Sequence, residues 1–327
     1  MRILLWPVHG TYTDALVRGQ HEYLLPWTPE GGPFTGGRGG YDPHWPENVR
    51  DTPPESLRDA GVDVVLVQRI EEISLAERWL ERKLGRDIPA VFLEHNAPPG
   101  SACGSVHPLA DQRSIPIVHV THFNDVFWDS GRATTVVIEH GVVDPGYTYT
   151  GELPNLAVVV NEPARRGRVV GADLLPRFTP AGHIDLFGID GDRLAPQLGL
   201  GRTELTFVGD VPLSKMHPIL AQRRVYLHPF RWTSLGLALL EAMHLGLPVV
   251  ALAATEVPRA VPPEAGVVSS DIAELVTGAR ALLRDPDEAR RRGRIAREAA
   301  LARYGHARFL RDWDTLLTDV VSRRLAA

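Results

Sequence analysis

The sequence predicts an α/β protein built of two Rossmann-like domains, and three observations carry that expectation. Short apolar runs alternate with helical patterns almost from end to end, which is how parallel strands with crossover helices are written. The alternation breaks near residue 145 and then restarts. The chain has 327 residues, too many for one small core and enough for two.

In the first half the expected strands are Arg2–Trp6, Val62–Gln68, Ala90–Leu93, Ile117–Val120 and Thr135–Ile138, with helices such as Ile73–Leu84 and Asn124–Asp129 between them. A Gly/Pro-rich stretch, "PWTPEGGPFTGGRGGYDPHWPEN", interrupts the pattern from Pro26 to Asn48. It reads either as a surface loop or as a lid or acceptor-binding loop, and Trp27, Phe34, Tyr41 and Trp45 favour contact with a ligand or partner. After residue 145 the strands expected are Leu156–Val160, Ile184–Gly188, Leu205–Gly209, Arg224–His228 and Pro248–Leu252. The rest is helical: Asp271–Leu283, Pro286–Arg303 and His306–Arg324. This divides the chain into an N-terminal domain, 1–145, and a second domain, 146–305, with the last helix, 306–327, packing back on the first.

Composition narrows the partners. An apolar fraction of 44% with 23% charged residues is that of a soluble globular protein. A formal net charge of −5 gives no electrostatic case for nucleic acid. The lone Cys103 cannot form an internal disulfide, and no Cys/His framework has zinc spacing, so a reducing cytoplasm is the consistent compartment. "MRILLWPVHG" reads as a first strand, not a signal segment, and no apolar run approaches a membrane span. Contact with a membrane surface is expected to be peripheral at most. The arginine-rich helix with Arg290, Arg291, Arg292, Arg294 and Arg297 reads as a solvated face, or alternatively as a dock for anionic lipid or glycan.

In such sheets ligands gather at the carboxyl ends of the strands, so the cleft between two facing domains is the expected site. The first-half strands are followed by His9 and Gly10, by Glu94, His95 and Asn96, by His122, and by His140 and Asp144. Each histidine also reads as a hydrogen-bonded structural group. Four together point to a polar cleft, and His95, held by the turn "NAPPG", is the foremost candidate. His119 and His122 form H-x-x-H, but at strand spacing they point to opposite faces, and no metal site is expected.

In the second half, Asn161, Arg165, Arg166 and Arg168 follow a strand and precede a helix, a placement that suits an anionic ligand. The stretch "RWTSLGLALLEAMHLGLPVVA" then brings a helix N-terminus at Gly236 and Leu237, ready for a diphosphate. Glu241 sits little more than one turn inside an otherwise apolar helix. It can accept hydrogen bonds from a ribose diol, with His244 at i+3 expected to steady it. The competing reading is a salt bridge from Glu241 to an arginine.

"SLGLALLEAMHLGLPVVA" resembles the "E-G-F-G-L-x-x-x-E-A-M-A-x-G-x-P-V-V-A" signature of retaining GT-B glycosyltransferases of the GT4 type, glycosyltransferase group 1. "IPAVFLEHN", "VHVTHFN…WDSGRATTVVIEHGVVD" and "LTFVGDVP" follow in that family's order, so the likeness runs from about residue 86 onward. The resemblance implies a GT-B fold of two Rossmann-like domains. It implies that Glu241 binds the nucleotide ribose, that the amides of Ser234, Leu235, Gly236 and Leu237 lie along the diphosphate and donor sugar, and that His95 approaches that sugar. Arg166 falls where the family has the lysine of its "G-R-x4-K-G" phosphate clamp, and Gly167 matches the glycine after it. Three positions depart from the pattern. Thr233 replaces the first glutamate of E-x7-E, Asn161 replaces the clamp arginine, and Ala254–Val261 only loosely echoes "G-G-x-P-E".

The activity implied is transfer of a sugar from a nucleotide-diphosphate donor to a glycan, lipid or small-molecule acceptor, with retention at the anomeric carbon. His95 and Arg166 would serve catalysis. Thr233, Asn161 and Arg165 would join the donor set, and His9, Gly10, Asn96, His122 and His140 would lie on the acceptor side. No metal or other cofactor is expected. Two other readings stay open, a GT-B nucleotide-sugar epimerase and a non-catalytic nucleotide-sugar or glycan-binding protein.

Overall fold

The structure, a computed structural model, describes residues 1–39 and 45–325, the side chains of 323–325 excepted. Tyr41 of the Pro26–Asn48 stretch therefore lies outside the described residues. The chain divides into two compact units, Met1–Val142 with His306–Ala327, and Val143–Gly305. Among the described residues no helix is long and apolar enough to cross a membrane.

The first unit holds a seven-stranded parallel sheet. Its strands are β1 (Arg2–Leu5), β2 (Glu22–Pro26), β3 (Val49–Thr52), β4 (Val64–Val67), β5 (Ala90–Glu94), β6 (Ile117–His119) and β7 (Thr135–Val137), in the order β3-β2-β1-β4-β5-β6-β7. Every residue of Val64–Val67 is buried, as expected of a strand covered on both faces. The helices are α1 (Gly10–Val17), α2 (Ile70–Leu80) and α3 (His122–Phe127). Ala76 and Leu80 of α2 pack with Leu4, Val65, Val67 and Phe92 of the sheet.

β2 and β3 add two strands to the five expected in this half. β3 pairs through its backbone with β2 at the sheet edge, while Arg50 and Asp51 stay exposed. An edge strand of this kind carries no apolar alternation to read. The Pro26–Asn48 stretch thus joins two neighbouring parallel strands. It is tied down by the Trp6 indole donating to Phe34 O at 3.0 Å and by Arg69, which donates to Pro33 O at 2.9 Å and lies 4.3 Å from the Phe34 ring centroid. Trp45 is buried and Trp27 exposed.

The second unit holds a six-stranded parallel sheet of β8 (Leu153–Val159), β9 (Ile184–Phe187), β10 (Leu205–Gly209), β11 (Arg223–His228), β12 (Val249–Leu252) and β13 (Gly266–Ser269), in the order β10-β9-β8-β11-β12-β13. β13 was not among the strands expected. Its helices are α4 (Pro163–Arg166), α5 (Leu175–Phe178), α6 (Leu194–Gln197), α7 (Leu213–Leu220), α8 (Leu237–Leu245), α9 (Val257–Ala260), α10 (Ile272–Arg284) and α11 (Pro286–Tyr304). Leu275, Ala279 and Leu282 of α10 pack with Leu156, Leu186, Val225 and Val250 of the sheet.

The last helix, α12 (His306–Leu325), belongs to the first unit. Its Trp313 donates to the Tyr12 hydroxyl at 3.0 Å, and Phe309 meets the Tyr12 ring edge to face at 5.1 Å. Most arginines of α11 are matched internally. Arg290 pairs with Asp287, Arg291 and Arg292 with Glu288, and Arg297 with Asp144.

Candidate functional site

In the second unit the strand order runs outward from β8 in one direction and from β11 in the other, so β8 and β11 mark the topological switch point. The segments following these two strands are the ones the sequence singled out. They are tied together, because the backbone N–H groups of Arg231 and Trp232 both donate to Val169 O, at 2.9 and 3.1 Å. Arg231 also donates to Arg168 O at 2.8 Å and grips Asp173 at 2.5 and 2.9 Å. Gly171, at φ +69, makes the close fit possible: a Cβ there would lie 1.9 Å from Pro229 O.

Ion pairing sorts the three arginines after β8. Arg165 is exposed and paired with Glu162, and Arg168 is paired with Asp173 at 2.9 Å. Arg165, expected in the donor set, is thus engaged locally by an i,i+3 carboxylate. Arg166, half-buried and followed by Gly167 at φ +47, has no side-chain partner among the described residues. Burial, with the Arg165 charge beside it, holds its guanidinium below the ordinary arginine range. Asn161 uses its side-chain oxygen to accept from Ile189 N at 3.0 Å, which ties the ends of β8 and β9.

α8 is almost wholly buried, and Leu239, Leu240, Ala242, Met243 and Leu245 are fully inaccessible. It begins at Gly236 in extended backbone with no side-chain cap, so its first N–H groups are not met by a cap. Thr233, Ser234 and Leu235 form the approach, the last two buried. Glu241 is 3% exposed. Its neighbour is His217 of α7, with Nε2 3.6 Å from Oε2, and not an arginine. His244 does not steady it either. The His244 Nδ1–H donates to Leu240 O at 2.7 Å, the carbonyl one turn back. Arg297 closes the other end of α8, bonding His244 O and, at 2.7 Å, both Asp144 oxygens, so Asp144 belongs to this ion pair.

His217 and His228 escaped the reading of the sequence. His228, at the end of β11, is 1% exposed with neither ring nitrogen hydrogen-bonded among the described residues. Its ring lies tilted by 32° against Phe230 at a centroid distance of 4.2 Å, and its edge is what a Cβ on Gly236 would meet, at 3.0 Å. Burial pushes its pKa down to about 3. The only trace in the sequence is its position directly before the "PF" that opens the loop to α8.

In the first unit the carboxyl ends of β1, β4, β5 and β7 bring His9, Gln68 and Tyr12 of α1 against His95, with His140 on the far side of Tyr12. The His9 and His95 rings lie 4.1 Å apart, and the Tyr12 ring meets His95 at 4.6 Å and His140 at 5.7 Å, both edge to face. Gly10 opens α1 directly after His9, whose carbonyl accepts from Thr13 N at 2.8 Å. His95 is held well below the usual histidine range by burial and by its neighbours His9 and His140. Burial also lowers His9, against the pull of the Glu94 charge. His9 and His95 therefore favour the neutral imidazole, suited to hydroxyl groups more than to anions.

Two residues expected with this set stand apart. His122 is exposed at the first position of α3, and Asn96 is exposed with its backbone engaged, N–H to Glu94 at 2.6 Å and carbonyl to Trp128 at 2.9 Å. His119, the other half of H-x-x-H, ends β6 and contacts Ser130 at 3.3 Å. Among the described residues no group of three or more His, Cys, Asp and Glu could hold a metal ion.

With this geometry in hand, residues 175–285, which lie in the second unit, match the family model "Glycosyl transferases group 1". No curated protein sequence matches the chain. Solved structures do. Sucrose-phosphate synthase from Thermosynechococcus elongatus aligns over 99% of this chain and 100% of its own, at 15% identity and a TM-score of 0.70. HepE of Anabaena in complex with UDP aligns over 98% and 100%, at 13% identity and 0.73. HepE in complex with UDP and glucose gives 98% and 100%, at 14% and 0.68. At such identities the likeness establishes the fold, which is GT-B. The group 1 match and these neighbours together support a GT-B glycosyltransferase.

Proposed function

We propose that the protein transfers a sugar from a nucleotide-diphosphate donor to a hydroxyl-bearing acceptor, with retention of anomeric configuration and without a metal ion. The observation that carries the reading is the junction at the β8/β11 switch point. There the segment carrying Arg166, which has no side-chain partner among the described residues, is tied by Val169 and Asp173 to Arg231 of the loop that leads to the uncapped N-terminus of α8, with the buried carboxylate of Glu241 one turn further in. A diphosphate matches the cation and the helix N-terminus, and a ribose diol matches the carboxylate. In this reading Ser234, Leu235, Gly236 and Leu237 line the diphosphate, while His95 and the His9–His140 cluster meet sugar or acceptor hydroxyls.

A departing diphosphate needs its developing charge stabilised, and losing one preorganised donor costs about 10²–10³ in rate. Arg166→Ala is therefore expected to lower kcat by that factor with an unchanged fold. The phosphate charge is met by Arg166 and the helix dipole, so addition of a chelator should leave turnover unaltered. Base preference is to be read from thermal stabilisation by UDP, GDP, ADP and dTDP. NMR of the product's anomeric centre gives the stereochemistry. Full turnover in Arg166→Ala would overturn the assignment.

A second reading has its own support. Thr233 stands where a carboxylate would hold a donor hydroxyl, and Asn161 is engaged in holding Ile189 N. These favour a protein that binds nucleotide sugar without turning it over. Donor binding with neither transfer nor hydrolysis across varied acceptors would select it.

A further inference from the structure

His95 contacts the side chain of Gln68 through Nε2, at 2.8 Å from Gln68 Oε1. A histidine nitrogen can donate or accept, and a side-chain amide can be turned either way, so this contact alone does not say which atom holds the proton. The other end of Gln68 decides it. Gln68 Nε2 lies 2.5 Å from the carbonyl oxygen of Trp6, just past the end of β1. A backbone carbonyl only accepts, so the amide nitrogen must face Trp6 and the amide oxygen must face His95. That oxygen in turn only accepts.

We propose that Gln68 is a positioning residue that holds His95 in the Nε2–H tautomer, so that Nδ1 offers an unprotonated lone pair to the hydroxyl of a bound sugar. Nδ1 has no partner among the described residues and is not among the buried polar atoms, and the His95 ring is partly exposed. A lone pair facing the ligand accepts from O–H and repels a carboxylate or phosphate oxygen. This point of the first unit thus selects a neutral polyol over an anion.

Three features around the ring hold the arrangement in place. The Gln68 backbone N–H is fixed by Glu72 Oε2 at 2.6 Å, and Glu72 is fully buried at the start of α2. Tyr12 closes one side of the imidazole, edge to face at 4.6 Å. The titratable groups facing it, His9 and His140, are themselves histidines that disfavour a positive ring. A doubly protonated His95 would lose the lone pair altogether.

The inference rests on the proposed function for the identity of the ligand, but its test needs no ligand. Nitrogen-15 NMR of the imidazoles in the free protein, with His95 assigned by its loss in His95→Gln, should show a protonated Nε2 and an unprotonated Nδ1 at neutral pH. The Nε2 proton should exchange slowly enough to be seen. In Gln68→Leu that proton signal should be lost and the second tautomer should appear. A wild-type spectrum with Nδ1 protonated, or with both nitrogens protonated, would overturn the proposal even if Gln68→Leu failed to fold. So would a Gln68→Leu spectrum identical to wild type. Failure of the glycosyltransferase reading would show instead as absent nucleotide binding, with the tautomer unaffected.

Discussion

Glu241 offers a prediction whose size follows from its surroundings. In the free protein this carboxylate is buried, has His217 Nε2 at 3.6 Å, and makes no hydrogen bond among the described residues. Its desolvation is poorly offset, so Glu241→Gln should change unfolding free energy by no more than about 1 kcal/mol. With a nucleotide bound, two vicinal ribose hydroxyls would each donate to the carboxylate. A hydrogen bond to a charged group contributes about 1.5–3 kcal/mol, so the pair contributes roughly 3–6 kcal/mol, on the order of 10²–10⁴ in Kd. Glu241→Ala should weaken the preferred nucleoside diphosphate by that factor in titration calorimetry. The 2′-deoxy analogue separates a ribose contact from general damage. Wild type should discriminate against it by about tenfold or more, and Glu241→Ala should not. A variant that still discriminates, or that binds both nucleotides as wild type does, refutes the assignment of Glu241 to the ribose.

Other positions give equally definite expectations. Gly171→Ala places a Cβ 1.9 Å from Pro229 O in left-handed backbone, and should cost about 2–4 kcal/mol in urea unfolding together with nucleotide affinity, because it separates the Arg166 turn from the loop before α8. Gly141→Ala places a Cβ 2.3 Å from Phe309 Cβ and 2.4 Å from its Cγ without any strain in φ, and should lower the melting temperature by lifting α12 off Tyr12, at a cost of about 1–3 kcal/mol. Acid should weaken the fold through His228. Its folded pKa of about 3 lies below the unfolded 6.5, so the unfolded chain binds the extra proton, and stability is greatest above pH 6.5 and falls toward pH 3. The slope from this group is at most about 1.4 kcal/mol per pH unit. His228→Leu should flatten the pH dependence by about one proton in that window, and an unchanged slope would show that the ring is not buried in the neutral form.

What could be read in the chain and what could not divide along physical lines. Strands buried on both faces, such as Val64–Val67, announce themselves because every residue is apolar. β3 does not, since Val49–Thr52 joins the sheet edge by backbone pairing while its middle side chains meet water. Glu241 stood out in the sequence because a carboxylate in an apolar helix violates local expectation, and Arg166 because it falls where the resembled family has its clamp lysine. Their surroundings did not. Arg165, Arg166 and Arg168 are equivalent as letters, and only the pairing of the outer two with Glu162 and Asp173 singles out Arg166. The i+3 spacing correctly put His244 near Glu241, yet its Nδ1–H satisfies its own helix one turn back, and the ring facing the carboxylate comes from His217, on another helix. Contacts made across the sheet, such as Trp6 to Gln68 to His95, join three different strand ends and leave no spacing to detect.

The charge balance at the switch point bears on how the proposed reaction would run. Of the cations after β8, two are neutralised within the protein, which leaves Arg166 and about half a positive charge at the start of α8. A nucleoside diphosphate leaving group carries more negative charge than that. Full neutralisation would hold the diphosphate tightly and strip it of basicity. Partial neutralisation stabilises the departing oxygen while leaving it able to take the acceptor's hydroxyl proton on the same face. That division of labour requires no protein base: Glu241 is buried beside His217, Glu162 and Asp173 are held in ion pairs, and burial disfavours the protonated form of His228. The family pattern has an arginine at the Asn161 position, and a second cation there still leaves the diphosphate only partly neutralised, so it should bind the diphosphate more tightly and speed its departure. Asn161→Arg is the direct test. In the proposed mechanism its Kd for the nucleotide falls and its kcat rises, whereas an unchanged Kd would show that position 161 does not face the diphosphate.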